Sequence, residues 1–241
     1  MARIVGAVMI AVGCLALASW ASGMYELTYL VHRTGTMKAN VALAFILIGT
    51  SLWLLHSPGQ RARNVARVCV LVIGGIALIT LAEYASGWNA GIDEFLFRDN
   101  GPRPGFAHPG RMVPNAAIGL MLIALALWLM SETTGNARRP WFLACLGTLV
   151  SMIGLLAMLG YLAEFKAGYT WWDLTEMPLH TALLFVMFGA TVLHIAWKKR
   201  GCVGGSGNAS AWVLPAGWCC SSRWPPIPIA ARQTWSMRRR G

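Results

Sequence analysis

Residues Ala39–His56 read ANVALAFILIGTSLWLLH, and this stretch contains no Asp, Glu, Lys or Arg. A helix needs about 20 mainly apolar residues to cross a hydrocarbon core roughly 30 Å thick. Six stretches of the chain meet this requirement. They are approximately Ile4–Trp20, Ala39–His56, Val68–Trp88, Val113–Met130, Trp141–Ala163 and Pro178–Trp197. The sequence therefore predicts an all-α fold, an integral membrane bundle of about six transmembrane helices within residues 1–200.

The basic residues are distributed unevenly on the two sides of these predicted spans. The chain is 56% hydrophobic and only 12% charged, and its formal net charge is +11. Most Lys and Arg residues lie in one of three places: at the N terminus with Arg3, in the connectors that contain Arg61 and Arg138, or in the segment that begins at Lys198. Because cytoplasmic loops carry the excess of Lys and Arg, both termini are expected in the cytoplasm. The expected partner of this charge is the lipid bilayer, and no nucleic-acid partner is predicted.

A short pattern occurs three times at the ends of the odd-numbered spans and the starts of the even-numbered ones. The first part is LASWASG (Leu17–Gly23), LAEYASG (Leu81–Gly87) and LAEFKAG (Leu162–Gly168). The second part is MKANVAL (Met37–Leu43), MVPNAAI (Met112–Ile118) and MPLHTAL (Met177–Leu183). Three copies of one helical hairpin follow from this order, and all three would insert with the same orientation.

Local structure explains many residues of the pattern. The glycines suit helix stops, and Trp20 and Tyr84 suit the aromatic belts at membrane interfaces. Asn40 and Asn115 suit the first turn of a helix, where the side-chain oxygen can accept a backbone N–H. Glu83 interrupts the third span near its end, so it is expected at headgroup level, because a charge costs less there than at the bilayer centre.

The alternative to a purely structural role is a ligand site at the outer level of the bundle. The long loop between the third and fourth spans contains GIDEFLFRD (Gly91–Asp99) and HPGRMVPN (His108–Asn115). Its first part is predicted to form a short amphipathic helix on the membrane surface, with Asp93 wetted and Phe95 on the apolar face. Its carboxylates either form a solvated cluster or meet Arg111 or a cationic ligand. The candidate ligand-binding residues are Asn40, Glu83, Asp93, Glu94, Arg111, Asn115, Glu164 and His180. No catalytic or metal-binding residue and no cofactor is predicted.

These motifs also carry a resemblance. Gly91–Asp99, His108–Ala117, Leu156–Leu162 and Met177–Phe185 together resemble the multi-span N-terminal membrane region found before PAS, histidine-kinase and diguanylate-cyclase modules in bacterial sensor proteins. The resemblance covers approximately Met37–Trp197 and implies a sensory input module in the bacterial inner membrane, acting as a homodimer or with a cytoplasmic signalling partner. It carries no known ligand. The chain departs from the family because no phosphoacceptor, ATP-binding or cyclase signature follows, so it is not expected to be an enzyme.

The residues leave three questions open: the fate of the first span, the nature of the tail, and the function. The first span resembles a secretory signal, because Ala16–Ala18 resembles a cleavage site. The repeat includes this span and favours its retention. Residues 201–241 are expected to be a basic, disordered cytoplasmic tail, either held at anionic headgroups or an out-of-frame extension of a longer sensor gene. A small membrane transporter and a haem-binding redox protein that uses His56 and His194 are the alternatives to a sensor.

Overall fold

The computed structural model describes residues 1–23, 36–93, 95–97, 110–132, 138–163 and 177–203. Within these ranges the chain forms six helices and no strand. The helices are α1 (Ala2–Ala21), α2 (Ala39–Leu55), α3 (Gln60–Ser86), α4 (Pro114–Ser131), α5 (Arg139–Leu162) and α6 (Leu179–Val203). The predicted all-α class is therefore confirmed. Residues Met1–Arg200 form one compact unit, and the predicted tail after Val203 lies outside the described residues.

Five of these helices, all except α2, are long and apolar enough to cross a membrane. The apolar helix α2 has 17 residues. Large apolar side chains of the odd-numbered helices, such as Leu71 and Leu78 of α3 and Leu149 and Leu159 of α5, are exposed on the surface of the bundle. Helices that are apolar on their outward faces as well suit a lipid surrounding. The fold is compatible with a multi-pass membrane protein.

Helix α3 begins earlier than the hydropathy pattern predicted. The expected span started at Val68, whereas the helix starts at Gln60 and includes Arg61, Arg63 and Arg67. Gln and Arg are good helix formers, and the Gln60 amide donates a 2.9 Å hydrogen bond to Asn64 one turn later. The predicted basic connector is thus mostly the first two turns of α3.

The even-numbered helices occupy the interior of the bundle. Of the apolar part of α4, 61% is buried, against 33% in α3 and in α5. Phe45 of α2, Leu120 of α4 and Phe185 of α6 are fully buried. The rings of Phe45 and Phe185 meet edge to face with centroids 5.9 Å apart, and a Cβ at Gly119 of α4 would overlap the Phe185 ring. Helices α2, α4 and α6 therefore share one core.

Small residues bring α1 against α2 and α5 against α6. In each pair a Cβ atom added to a glycine would overlap a backbone carbonyl oxygen of the facing helix. The pairs are Gly49 with Gly6, Gly13 with Ala42, Gly189 with Gly147 and Gly154 with Ala182. Close backbone contact of this kind is how helices gain packing energy in lipid, where no hydrophobic effect drives their association.

Seven buried positions follow one spacing in each of the three odd-numbered helices. They are Ala2, Val5, Gly6, Met9, Gly13, Ala16 and Ser19 in α1; Ala66, Cys69, Val70, Ile73, Ala77, Thr80 and Glu83 in α3; and Leu143, Leu146, Gly147, Val150, Gly154, Ala157 and Gly160 in α5. Each position therefore has a counterpart in the two other helices. Glu83 corresponds to Ser19 and Gly160, so the charge at this position occurs in α3 alone.

Candidate functional site

The odd-numbered helices end, and the even-numbered helices begin, at one end of the bundle, which we call the distal end. At this end, three aromatic side chains of the odd-numbered helices each donate a hydrogen bond to the backbone oxygen of a methionine just before the next helix. The bonds are Trp20 Nε1 to Met37 O at 2.8 Å, Tyr84 Oη to Met112 O at 2.9 Å and Tyr161 Oη to Met177 O at 2.7 Å. The third aromatic residue is thus Tyr161, one turn before Phe165, which the sequence pattern had aligned with Trp20 and which lies outside the described residues.

Arg111 is the residue around which the buried charged side chains of the distal end are grouped. It precedes α4, and its side chain is only 2% exposed. Its Nε donates a 2.7 Å hydrogen bond to Asp93 Oδ2, and its Nη2 lies 3.6 Å from Glu83 Oε1. The guanidinium carbon lies 5.4 Å from the centroid of the Tyr84 ring, a favourable distance for a cation over an aromatic face. One buried cation therefore holds two buried carboxylates together; we call Glu83, Asp93 and Arg111 the ion cluster.

Backbone hydrogen bonds fix the loop after α3 to this cluster. Gly87 ends α3 in the left-handed conformation, with φ 69°, which glycine adopts without strain. The chain then turns so that the Ala90 N–H donates to Glu83 Oε1 at 2.7 Å. Two residues further on, Asn40 Nδ2 of α2 donates to Ile92 O at 3.0 Å. The loop is thereby tied to both α3 and α2, which places Asp93 beside Arg111.

Several polar atoms of the distal end are buried without a hydrogen-bond partner among the described residues. They are Thr80 Oγ1, Glu83 Oε2, Asp93 Oδ1, Arg111 Nη2, His180 Nδ1 and Thr181 Oγ1. Nearly all buried polar atoms of folded proteins have a partner, and each one left unpaired costs about 1–3 kcal/mol. The described residues therefore leave these atoms to be paired by a ligand or by ordered water.

A small cavity of about 20 Å³ adjoins the ion cluster. A cavity of this size admits about one water molecule. Its lining includes Arg111, Thr36 and Lys38, together with Thr181 of α6. The described lining thus contains cations and hydroxyl groups, and the two carboxylates of the ion cluster do not face it.

The structure brings together four of the predicted ligand-binding residues: Asn40, Glu83, Asp93 and Arg111. Asn115 is buried nearby, where its Oδ1 accepts the Ala116 N–H at 2.9 Å. His180 lies in the first turn of α6. Glu94 and Glu164 lie outside the described residues. Within the described chain, no group of three or more His, Cys, Asp or Glu side chains is arranged to hold a metal ion.

Three local predictions about these residues are wrong. Asp93 was expected in water, but it is 6% exposed, because Arg111 offers its carboxylate a partner inside the protein. Glu83 is fully buried beside the same cation, and its headgroup level stays a prediction. The described residues around Asp93 form turns and bends rather than an amphipathic helix. Phe95, predicted on the apolar face, is 84% exposed. Asn40 does not cap α2; its amide is used on the Ile92 carbonyl.

Sequence reasoning missed Tyr84 as a partner of Arg111, and it missed Thr80, Thr181 and Lys38 altogether. Tyr84 lies next to Glu83, so the pair Glu83-Tyr84 was visible but was interpreted as interfacial. Threonines inside apolar helices carry no such signal, since they usually bond to their own helix backbone, as Thr191 does with Met187 O.

No protein-family model, no curated protein and no solved structure matches this chain.

Proposed function

We propose that the chain is a membrane-embedded input module of a bacterial signal-transduction system, of the sensor histidine kinase or diguanylate cyclase type. In this proposal it receives a signal at the distal end and passes it to output machinery in the cytoplasm, as a homodimer or through a signalling partner, without catalysis of its own. The resemblance of its motifs to sensor membrane regions suggests this class. The observation that carries the proposal is the buried ion cluster, with its unpartnered polar atoms.

The architecture that we infer is three repeated helical hairpins, α1 with α2, α3 with α4 and α5 with α6. Three independent features support it. The buried positions have the same spacing in α1, α3 and α5. The aromatic-to-methionine hydrogen bond occurs once in each pair. The sequence order M-x-x-[NH]-x-A-[LI] begins each even-numbered helix.

The ion cluster is a suitable element for a switch because it joins parts of the chain that are far apart in sequence. Glu83 belongs to α3, Asp93 to the following loop, and Arg111 to the segment before α4. Breaking a buried ion pair by removing one partner costs about 3–5 kcal/mol, so a change in this cluster can shift the relative stability of two bundle arrangements. A signal acts on such an equilibrium only if it binds one arrangement better than the other.

The proposal requires the distal end to face the outside of the cell, as the positive-inside rule predicts. Alkaline phosphatase is active only outside the cytoplasm, and a fluorescent protein folds well inside it. A phosphatase joined after Trp88, which is 64% exposed at the distal end, is expected to be active. A fluorescent protein joined after Gly241 is expected to fluoresce. The reverse pattern would refute the orientation.

Signalling itself is tested by joining a dimerisation-dependent transcription reporter to the C terminus of the full chain in a bacterial host. Asp93→Asn removes one charge from the ion cluster and is expected to change the reporter output while membrane insertion persists. The control is Glu132→Gln, which removes the same charge from a pair with Arg67 at the opposite end, where Glu132 is 33% exposed. If Asp93→Asn leaves the output at the level of the control at equal protein abundance, the distal end is not the input site.

A further inference from the structure

The end of the bundle opposite the ion cluster, which we call the proximal end, gathers three cations around one carboxylate. Helices α3 and α5 begin here, and α4 ends here. Arg67 Nη2 of α3 lies 3.2 Å from Glu132 Oε1, and Arg139 Nη2 of α5 donates to Glu132 O. Arg63 lies one turn before Arg67 on the same side of α3, and its guanidinium is close enough to that of Arg139 for the two to repel each other.

This group of side chains carries an excess of positive charge. Glu132 pairs with Arg67 and Arg139 and leaves Arg63 without a counter-ion among the described residues, so two positive charges are in excess. The end of α4 adds roughly half a negative charge, but the starts of α3 and α5 each add roughly half a positive one. Neither α3 nor α5 has an acidic residue in its first turn or a side-chain cap. The connector after Glu132 contains no acidic residue either.

An apolar groove leads from this group along α4. Helices α3 and α5 both pack on α4, and the side of α4 that they leave between them is partly exposed. Ile118, Leu125 and Leu129 lie on this side, and Leu125 is 48% exposed. Glu132 follows Leu125 by two helical turns and therefore lies on the same side. The cations thus stand at the proximal end of the groove.

The dimensions of the groove suit one lipid chain. From Ile118 to Leu129 the helix rises by about 16 Å, and one leaflet contributes roughly 15 Å of the hydrocarbon core. The Arg67 guanidinium lies 5.7 Å from the centroid of the Trp128 ring, and Trp141 in the first turn of α5 is 62% exposed. Tryptophan is enriched at the level of the headgroups, which is where the excess of positive charge then lies.

From this combination we propose that the proximal groove binds one anionic phospholipid, such as phosphatidylglycerol. Its phosphodiester lies against Arg63 and Arg139, and one acyl chain lies along α4 over Leu125. Guanidinium groups form strong, charge-assisted hydrogen bonds with phosphate oxygens. A zwitterionic phospholipid brings its own ammonium group, which weakens the attraction, and free phosphate has no chain to fill the groove. The site requires that the helices cross a bilayer, but it does not rest on the proposed signalling function.

Lipid binding to the full chain, purified in detergent, tests the site by native mass spectrometry. Phosphatidylglycerol and phosphatidylcholine with identical acyl chains are titrated separately. One phosphatidylglycerol molecule is expected to bind at least about fivefold more tightly than phosphatidylcholine, since each cation near a headgroup contributes about this factor. Equal affinities would overturn the proposal. Sodium phosphate is then added as competitor, and displacement of the lipid by an equimolar amount would show a site for free anions and overturn the lipid site.

The variant Arg63→Gln removes the cation that has no counter-ion and keeps a good helix former. It is expected to weaken phosphatidylglycerol binding about fivefold. The matched control is Arg61→Gln, which removes the same charge from the same turn of α3. Arg61 is exposed and lies on the opposite side of the helix from Arg63, so the control should bind the lipid like the wild type. Equal effects of the two substitutions would refute the headgroup site.

The variant Leu125→Trp tests the groove separately, and it decides the matter if Arg63→Gln does not fold. The indole ring would lie on the floor of the groove and is expected to weaken phosphatidylglycerol binding without a change in charge. The control Leu15→Trp makes the same substitution on α1, where Leu15 is 70% exposed, and should leave binding unchanged. If Leu125→Trp binds the lipid as tightly as Leu15→Trp, no acyl chain occupies the groove and the proposal is overturned.

Discussion

Replacing Arg111 with methionine should strongly destabilise the bundle. The substitution keeps an unbranched apolar chain of similar reach but removes the only cation shown to pair with Glu83 and Asp93 in the described residues. Both carboxylates are almost completely buried, so solvent screens them little. Removing one partner of such a buried pair costs about 3–5 kcal/mol. The free energy of unfolding, measured by equilibrium denaturation in mixed micelles, should therefore fall by about this amount.

A compensated variant shows whether charge is the cause. In Arg111→Met combined with Glu83→Gln and Asp93→Asn, no buried charge is left alone, so most of the lost stability should return, to within about 1–2 kcal/mol of the wild type. The matched control, Arg67→Met, breaks a pair whose members are 30% and 33% exposed, and should cost only about 1 kcal/mol or less. The reasoning is refuted if Arg111→Met costs no more than Arg67→Met, or if the compensated variant is as unstable as the single one.

Three further substitutions can be measured by the same denaturation method. Gly49→Ala should cost about 1–3 kcal/mol by overpacking, since its new Cβ would overlap the facing α1 backbone. The control Gly75→Ala places its Cβ in open space and should be neutral or stabilising. Equal effects of the two substitutions would contradict the packing of α1 on α2. Tyr161→Phe should cost about 1 kcal/mol, the value of its bond to the backbone before α6, and no loss would mean that this bond is not formed. Thr80→Val should leave stability unchanged or raise it by up to about 1 kcal/mol, because its hydroxyl has no partner in the described chain; a clear loss would reveal one.

The helices could be predicted from sequence because hydropathy depends only on local composition. Boundaries failed where polarity and helix propensity disagree, as at Gln60, since a polar stretch can continue a helix outside the apolar region. The division into interior and peripheral helices was not predicted. Helices α3 and α4 are both apolar enough to cross a membrane, and their difference appears only in the fold, where 61% of the apolar part of α4 is buried against 33% of that of α3.

The candidate site could be predicted in part. Asn40, Glu83, Asp93 and Arg111 were singled out because they recur at helix ends or in a patterned loop, and they do meet. Their burial was not predictable, because the acidity of a loop suggests solvent unless its cation is known to fold back onto it. The cavity is lined by Thr181 and by residues at the starts of α2, α4 and α6. These three helix starts are distant in sequence, so their meeting could not be predicted.

The close approach of Gly6 and Gly13 to α2 bears on the fate of the first helix. A cleaved leader peptide leaves the mature protein, and the groove it occupied is then open to acyl chains. Here that groove would be the face of α2 at Ala42 and Gly49, whose backbone oxygens lie next to Gly13 and Gly6 of α1. Loss of α1 would therefore leave a strip of main chain uncovered along α2.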